Sequence, residues 1–260
     1  MKLRLSLLSL PLAFLPAAFA QTQSTGTAEV LCIKARDGKY SELRRFLLDS
    51  SAKMGKYRVE NGTFSAYIVS ESVTPSGRSA PCDFHLVQSY SGAPKETRAS
   101  TDDEMKKAGI SMTIAQRNAK RDEISYLVSR EYWRTRDVVG TLVKGGYVRL
   151  NYFKVNSQAE WLRMETTGWK QMAEVWAKET PGRAWIVHTL TMPGGSKMPY
   201  NGLTVDGFPN WDSMFATTNT RDTWGKVHPE SDYSAYMTRV GQLAERPIVT
   251  TMRLLEVIRK

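Results

Sequence analysis

The chain has 260 residues, 41% of them hydrophobic and 24% charged, and a formal net charge of +10. Its Lys and Arg residues are spread along the chain with no basic block, so the charge reads as a solvated surface and argues against nucleic-acid binding. The two cysteines form no CxxC pair and the three histidines have no close-spaced partners, so thiol-redox catalysis and a zinc site have no support.

Residues 1–20, MKLRLSLLSLPLAFLPAAFA, read as a secretory signal: Lys2 and Arg4, an apolar run, then Ala18-Phe19-Ala20 as a small-x-small cleavage site. Pro11 and Pro16 interrupt the run, which is short for a bilayer span of about 20 residues. Cleavage after Ala20 lowers the net charge to +8. The expectation is a periplasmic or secreted protein with no stable membrane insertion. In an oxidising compartment Cys32 and Cys82 either pair or stay buried thiols.

The mature chain opens with a predicted strand, "EVLCIKA" (29–35). A helical stretch follows, with Leu43, Phe46, Leu47, Ser50, Met54 and Tyr57 near helical spacing, closed by Asn61-Gly62. Then come "AYIVSESVTPSGRSAP" (66–81), a strand running into a Pro/Gly loop, and a third strand, "DFHLVQSY" (83–90). A polar helical stretch leads to "ISYLVSREYW" (124–133). After a linker at 136–146 the order returns. "YVRLNYFKV" (147–155) precedes a helical stretch carrying Trp161, Met164, Gly168, Met172 and Val175, with Ser157 and Glu160 in capping-box form and Pro181-Gly182 at its end. "AWIVHTLTMPGGSKMP" (184–199), "NGLTVDGF" (201–208) and "VTTMRLLEVI" (249–258) supply the remaining strands.

A fixed offset of 118 aligns 30–91 with 148–209 without a gap, matching Ala66/Ala184, Ile68/Ile186, Pro75/Pro193, Gly77/Gly195 and Pro81/Pro199. The register then slips by seven, to 125, matching Met112-Thr113 with Met237-Thr238, Glu131 with Glu256 and Arg134 with Arg259. The unit is the size of a small domain. The reading is an internal duplication: repeat 1 at 28–135, repeat 2 at 147–260, each in the ferredoxin-like order β-α-β-β-α-β. Such a sheet carries helices on one face only, so two copies bury their other faces against each other. The fold class is α+β, two tandem ferredoxin-like units forming a single-chain α/β barrel.

The run YFKV, SxxEWL, GWK and PGRAW across 152–185 resembles the dimeric α/β-barrel superfamily, which includes NIPSNAP-like, EthD-like and antibiotic-monooxygenase-like domains. The resemblance implies two ferredoxin-like units closing one barrel. Its members include cofactor-independent oxygenases, isomerases and haem-handling enzymes; no catalytic set transfers residue by residue.

Candidate ligand-binding residues come from comparing the two repeats. Val30 and Cys32, like Val148 and Leu150, form one strand face, assigned here to the helices. The opposite face, Leu31 and Ile33 in repeat 1, becomes Arg149 and Asn151 in repeat 2, as a hydrogen-bonding set between the sheets or a polar tie. His188 replaces Ser70, Asp206 replaces Gln88 and, at offset 125, Arg253 replaces Val128. His188 is the candidate general base. Haem would need it to face an open, apolar chamber; the residues themselves predict no cofactor. Trp211 and Trp224 fall in a variable segment, 210–232, read as a lid or a solvated loop. Function narrows to three readings: binding of a small aromatic or apolar molecule between the sheets, a monooxygenase or isomerase of the same superfamily, or a structural or interaction module of the cell envelope.

Overall fold

The computed structural model describes residues 26–94, 100–195, 197–216 and 219–260. The expected signal segment lies outside them. The first half runs β1 (Thr27–Ala35), α1 (Tyr40–Phe46), a π-helical turn (Leu47–Ser51), α2 (Ala52–Glu60), β2 (Ala66–Thr74), β3 (Phe84–Tyr90), α3 (Asp102–Lys107), α4 (Ile114–Ile124) and β4 (Ser125–Gly140). The second runs β5 (Tyr147–Val155), α5 (Gln158–Met164), a π-helical turn (Glu165–Trp169), α6 (Lys170–Glu179), β6 (Ala184–Met192), β7 (Gly202–Phe208), α7 (Trp211–Phe215), α8 (Thr220–Val227), α9 (Tyr233–Leu243) and β8 (Ala244–Arg259). The π turns stand at the same point of each half and cis peptide bonds precede both Pro75 and Pro193. Among the described residues no helix is long and apolar enough to cross a membrane.

Local chemistry sets many of the boundaries. Thr101 and Thr113 close capping boxes with Glu104 and Gln116 at the starts of α3 and α4. Gly62 and Gly182 take positive φ after α2 and α6, where only glycine is unstrained. Ser157 sits at the N-cap of α5 but its side chain caps nothing; Glu160 is drawn instead to Arg239 of α9. Within the segment 210–232 the structure forms the helices α7 and α8. Trp224 is buried against His228, Tyr233 and Tyr236, while Trp211 stays exposed beside Tyr147.

All eight strands close into one antiparallel barrel in the order β1-β3-β2-β8-β5-β7-β6-β4. The two longest strands join the halves. β4 pairs with β1 through its first part and with β6 through its last; β8 pairs with β5 and then β2. β4 continues to Gly140, so the expected linker at 136–146 is a connection only from Thr141 onward. These ladders also correct the register of the last strands. Glu131 lies opposite Val30, whereas the residue opposite Val148, the counterpart of Val30, is Met252, not Glu256. Glu256 lies opposite Val69. The seven-residue slip is therefore not kept in space.

The faces are inverted relative to the sequence expectation. Ala28, Val148, Leu150, Tyr152, Leu203, Val205, Met252 and Leu254 pack together inside the barrel, joined by Val30 and Ile186. Ile33, Tyr67, Val69 and Leu86 point outward, under Leu43, Phe46 and Leu47 of the α1–α2 layer. Arg149 and Asn151 belong to this outer set, beneath the helices of the second half, and do not face the inter-sheet space. The physical reason is that both faces of a barrel strand sheathed by helices are buried, so apolarity does not tell one from the other.

Candidate functional site

Three regions hold the chemically active side chains. The first is the barrel interior. His188 is buried there, its Nδ1 3.2 Å from the Thr135 hydroxyl; burial lowers its pKa to about 4 and keeps it neutral. His85 lies with it among the lining residues, its Nε2 3.1 Å from the Cys82 sulfur. Cys32 and Cys82 form a disulfide with Cα atoms 5.3 Å apart. The Glu131 carboxylate accepts hydrogen bonds from Trp133 Nε1 at 2.9 Å and the Tyr200 hydroxyl at 2.6 Å, which makes it a tie inside the barrel. The space left at His188 is about 100 Å³, below the roughly 300–1,000 Å³ of small-molecule sites.

The second region lies between the sheet and the helices of the second half. Asn151 Nδ2 donates to Asp206 at 2.8 Å and to the Thr204 hydroxyl at 3.2 Å. The guanidinium groups of Arg149 and Arg183 stand over the Phe208 ring at 5.5 and 4.2 Å. Burial raises the Asp206 pKa, and the Asn151 hydrogen bond and the two arginines pull against it. Glu165 reaches the same region from the π turn. Burial, with the Asp206 charge adding to it, pushes its pKa up to about 8. Trp161 and Trp185 fill the remaining volume and are almost fully buried. The Trp185 indole N–H, like Asn151 Oδ1, has no hydrogen-bond partner among the described residues, while the Trp161 indole faces the Glu165 carboxyl and pulls its pKa down.

Of the sequence candidates, Arg149, Asn151 and Asp206 therefore come together, but on the helix side. His188 is separated from them by the sheet, inside the barrel. Arg253 is exposed on β8, opposite Tyr147 and Glu71, and belongs to neither group.

The third region carried no sequence signal. At the first-half counterpart of the tryptophan-filled region, between the sheet and α1–α2, there is a cavity of about 420 Å³. Leu31, Ile33, Leu43, Phe46 and Leu86 give it apolar walls, and Arg58, Arg117, Tyr67 and Ser51 line it too. Gly55 lets the Tyr67 ring lie against α2: a Cβ at that position would sit 2.3 Å from the ring. Tyr126 and Leu127, both exposed, are also in the lining.

No family model and no curated protein sequence matches the chain. Solved structures do. A candidate monooxygenase of Lactobacillus acidophilus NCFM aligns over 90% of this chain and 96% of its own, at TM-score 0.53 and 10% identity. Another from Fusobacterium nucleatum aligns over 92% and 96%, at TM-score 0.54 and 10% identity. A haem-binding protein of Thermus thermophilus aligns over 89% and 92%, at TM-score 0.44 and 10% identity. The fold is that of the ferredoxin-like α+β barrels. At these identities the likeness concerns the fold alone.

Haem does not fit the histidines of this chain. The space at His188 is too small, and His85 is packed on the disulfide. His228 Nε2 lies 3.0 Å from the Gly168 carbonyl and its ring packs against Trp224 at 4.2 Å. The large cavity is lined by no histidine.

Proposed function

We propose that this chain is an exported, internally duplicated member of the monooxygenase-like α+β barrels. It binds a small organic molecule in the first-half cavity, not between the sheets, and oxygenates it without a haem or metal. The observation that carries the ligand half of this reading is the cavity: about 420 Å³ with apolar walls, in the size range of small-molecule sites, where the spaces inside the barrel are about 100 Å³ at His188 and about 230 Å³ beside Glu131 and Tyr200. The matching π turns and the shared order of elements support the duplication. The fold shared with candidate monooxygenases supports the oxygenase half. A substrate that supplies its own electrons is phenolic or enolisable. Loss of its acidic proton leaves an anion that reduces dioxygen. One oxygen atom becomes a carbonyl at the carbon attacked, a CH₂ or a ring C–H. The other leaves as water with the two hydrogens the substrate gives up, both from the CH₂ or one each from the ring carbon and the phenol O–H. The positive charges of Arg58 and Arg117 favour such an anion.

The test is oxygen uptake, with mass analysis of products formed under ¹⁸O₂, for a panel of phenolic and enolisable aromatics. Uptake with one labelled oxygen in the product is expected, and Leu31→Trp, which fills the cavity, should abolish it. Absence of uptake across the panel, or uptake unchanged by Leu31→Trp, overturns the reading.

A further inference from the structure

Four arginines line the first-half cavity, and they fall into two pairs. Arg121 is 2.8 Å from Asp122, and Arg130 is 3.4 Å from Glu29; these cations are compensated. Arg58 donates to the Ser100 hydroxyl at 2.6 Å and stands over the Phe64 ring at 5.6 Å. Arg117 donates to Ser50 and Ser51 at 3.0 and 3.2 Å and stands over the Phe46 ring at 5.5 Å. Among the described residues neither has a carboxylate within ion-pair distance.

This arrangement is unfavourable on its own. A half-buried guanidinium has lost part of its water, and a hydroxyl replaces that water only weakly. Burial works against the Arg117 charge, and the charges of Arg121 and Arg58 add to the strain. The Tyr67 phenol is buried; burial raises its pKa, with Arg117, Arg58 and a hydrogen bond with Ser51 pulling the other way. It therefore stays protonated and able to donate. Two guanidinium groups and a phenol line one cavity, and among the described residues neither guanidinium has a carboxylate partner.

The second half shows that the fold does not require this set. Counting 118 residues on, Trp176 stands where Arg58 does and Trp185 where Tyr67 does. Against the second π turn the neighbouring helix presents Tyr236, whose hydroxyl donates to the Met164 carbonyl at 3.0 Å. Arg117 of α4 packs against the first π turn instead.

We propose that the cavity takes an organic carboxylate. The carboxylate is clamped by Arg58 and Arg117 with the Tyr67 hydroxyl, and the apolar body lies against Leu31, Ile33, Leu43 and Leu86. This rests on the reading that the first-half cavity is the ligand site, and the experiment separates the two. Calorimetric titrations use two matched pairs, 2-naphthoate with methyl 2-naphthoate and dodecanoate with methyl dodecanoate. At least one acid should bind roughly ten- to a hundredfold tighter than its ester, the range expected for losing a charge-assisted hydrogen bond. The gap should close in Arg58→Gln and in Arg117→Gln while ester binding changes little. Equal binding of acid and ester overturns the carboxylate assignment and leaves the cavity reading standing. If neither member of either pair binds, both fall. The acid–ester comparison in the unmodified protein decides the matter if a variant does not fold.

Discussion

The two π turns, Leu47–Ser51 and Glu165–Trp169, occupy the same point of two halves with the same strand order, the second half carrying one more helix before its last strand, yet they look onto opposite environments. Beneath the first there is space, with cations in its lining. Beneath the second there are indoles and two buried carboxyl groups. A few positions make the difference. Leu43 faces Trp161 across the comparison, Leu47 faces Glu165, Gly55 faces Ala173, Arg58 faces Trp176 and Tyr67 faces Trp185. The backbone frame is held by the barrel, whose long strands β4 and β8 tie each half to the other. Such a frame tolerates changes in the layer between sheet and helix, so one half can keep a chamber while the other spends the same volume on packing.

The most severe way to break this contrast is to empty the filled half. Trp161 is fully buried against Phe153, Val155 and Trp185. Trp161→Ala should cost about 3–5 kcal/mol. Leu43→Ala removes a side chain that already borders a cavity, so the lost contacts are fewer and the expected cost is about 2 kcal/mol. Urea unfolding of both variants measures the difference. Equal losses would mean that the first half is packed as tightly as the second.

The next test uses pH. The Glu165 pKa is raised from 4.5 to about 8 in the folded protein by burial and by Asp206. The folded state therefore holds a proton that the unfolded chain has lost. The stability from this group is fully present below pH 4.5 and is lost as pH rises through 8. Arg149, Arg183, Tyr236 and Asp206 face the same region, and Asp206 shifts in the same direction. The difference between wild type and Glu165→Leu isolates the Glu165 part, leucine being the first-half residue at this point. The variant should lose a decline on the order of 3 kcal/mol between pH 5 and 9, short of the full linkage value because local opening hydrates the carboxylate. Parallel stability curves for the two proteins would show that Glu165 ionises freely.

The order of elements was legible because turn chemistry marks it: Asn61-Gly62, Pro181-Gly182 and the twin Pro-x-Gly phrases fall where chain reversals occur. The inward face was not. Val30 and Leu31 are both apolar, one for the barrel core and one for the helix layer, and alternation separates them without saying which is which. Arg149, Asn151 and Asp206 could be grouped because neighbouring strands align them. Glu165 was missed because a carboxylate in a helical stretch reads as a solvated face. The cavity was missed for a deeper reason: Leu31, Ile33 and Leu86 read as core residues whether or not the space between them is filled, and volume is a property of packing. The offset of 125 misled through chance identities such as Glu131 with Glu256, which the ladders separate.

The smallest effects expected separate the sequence candidates from the site. Arg253 is exposed on β8 and His188 is enclosed in the barrel, so neither reaches the first-half cavity. Arg253→Ala should change stability by no more than about 0.5 kcal/mol, as surface substitutions do. His188→Ser installs the residue that the first half carries as Ser70, which is itself buried. It removes the Thr135 contact and leaves a small void, for a loss of about 1–2 kcal/mol. Neither variant should alter binding of any molecule that Leu31→Trp excludes, and calorimetry with that molecule checks this. A tenfold loss of affinity in His188→Ser, with melting otherwise unchanged, would place the ligand inside the barrel and reverse the contrast between the halves. The geometry argues against that outcome: about 100 Å³ of space at His188 admits few atoms of an organic molecule, and the first-half cavity has four times the room.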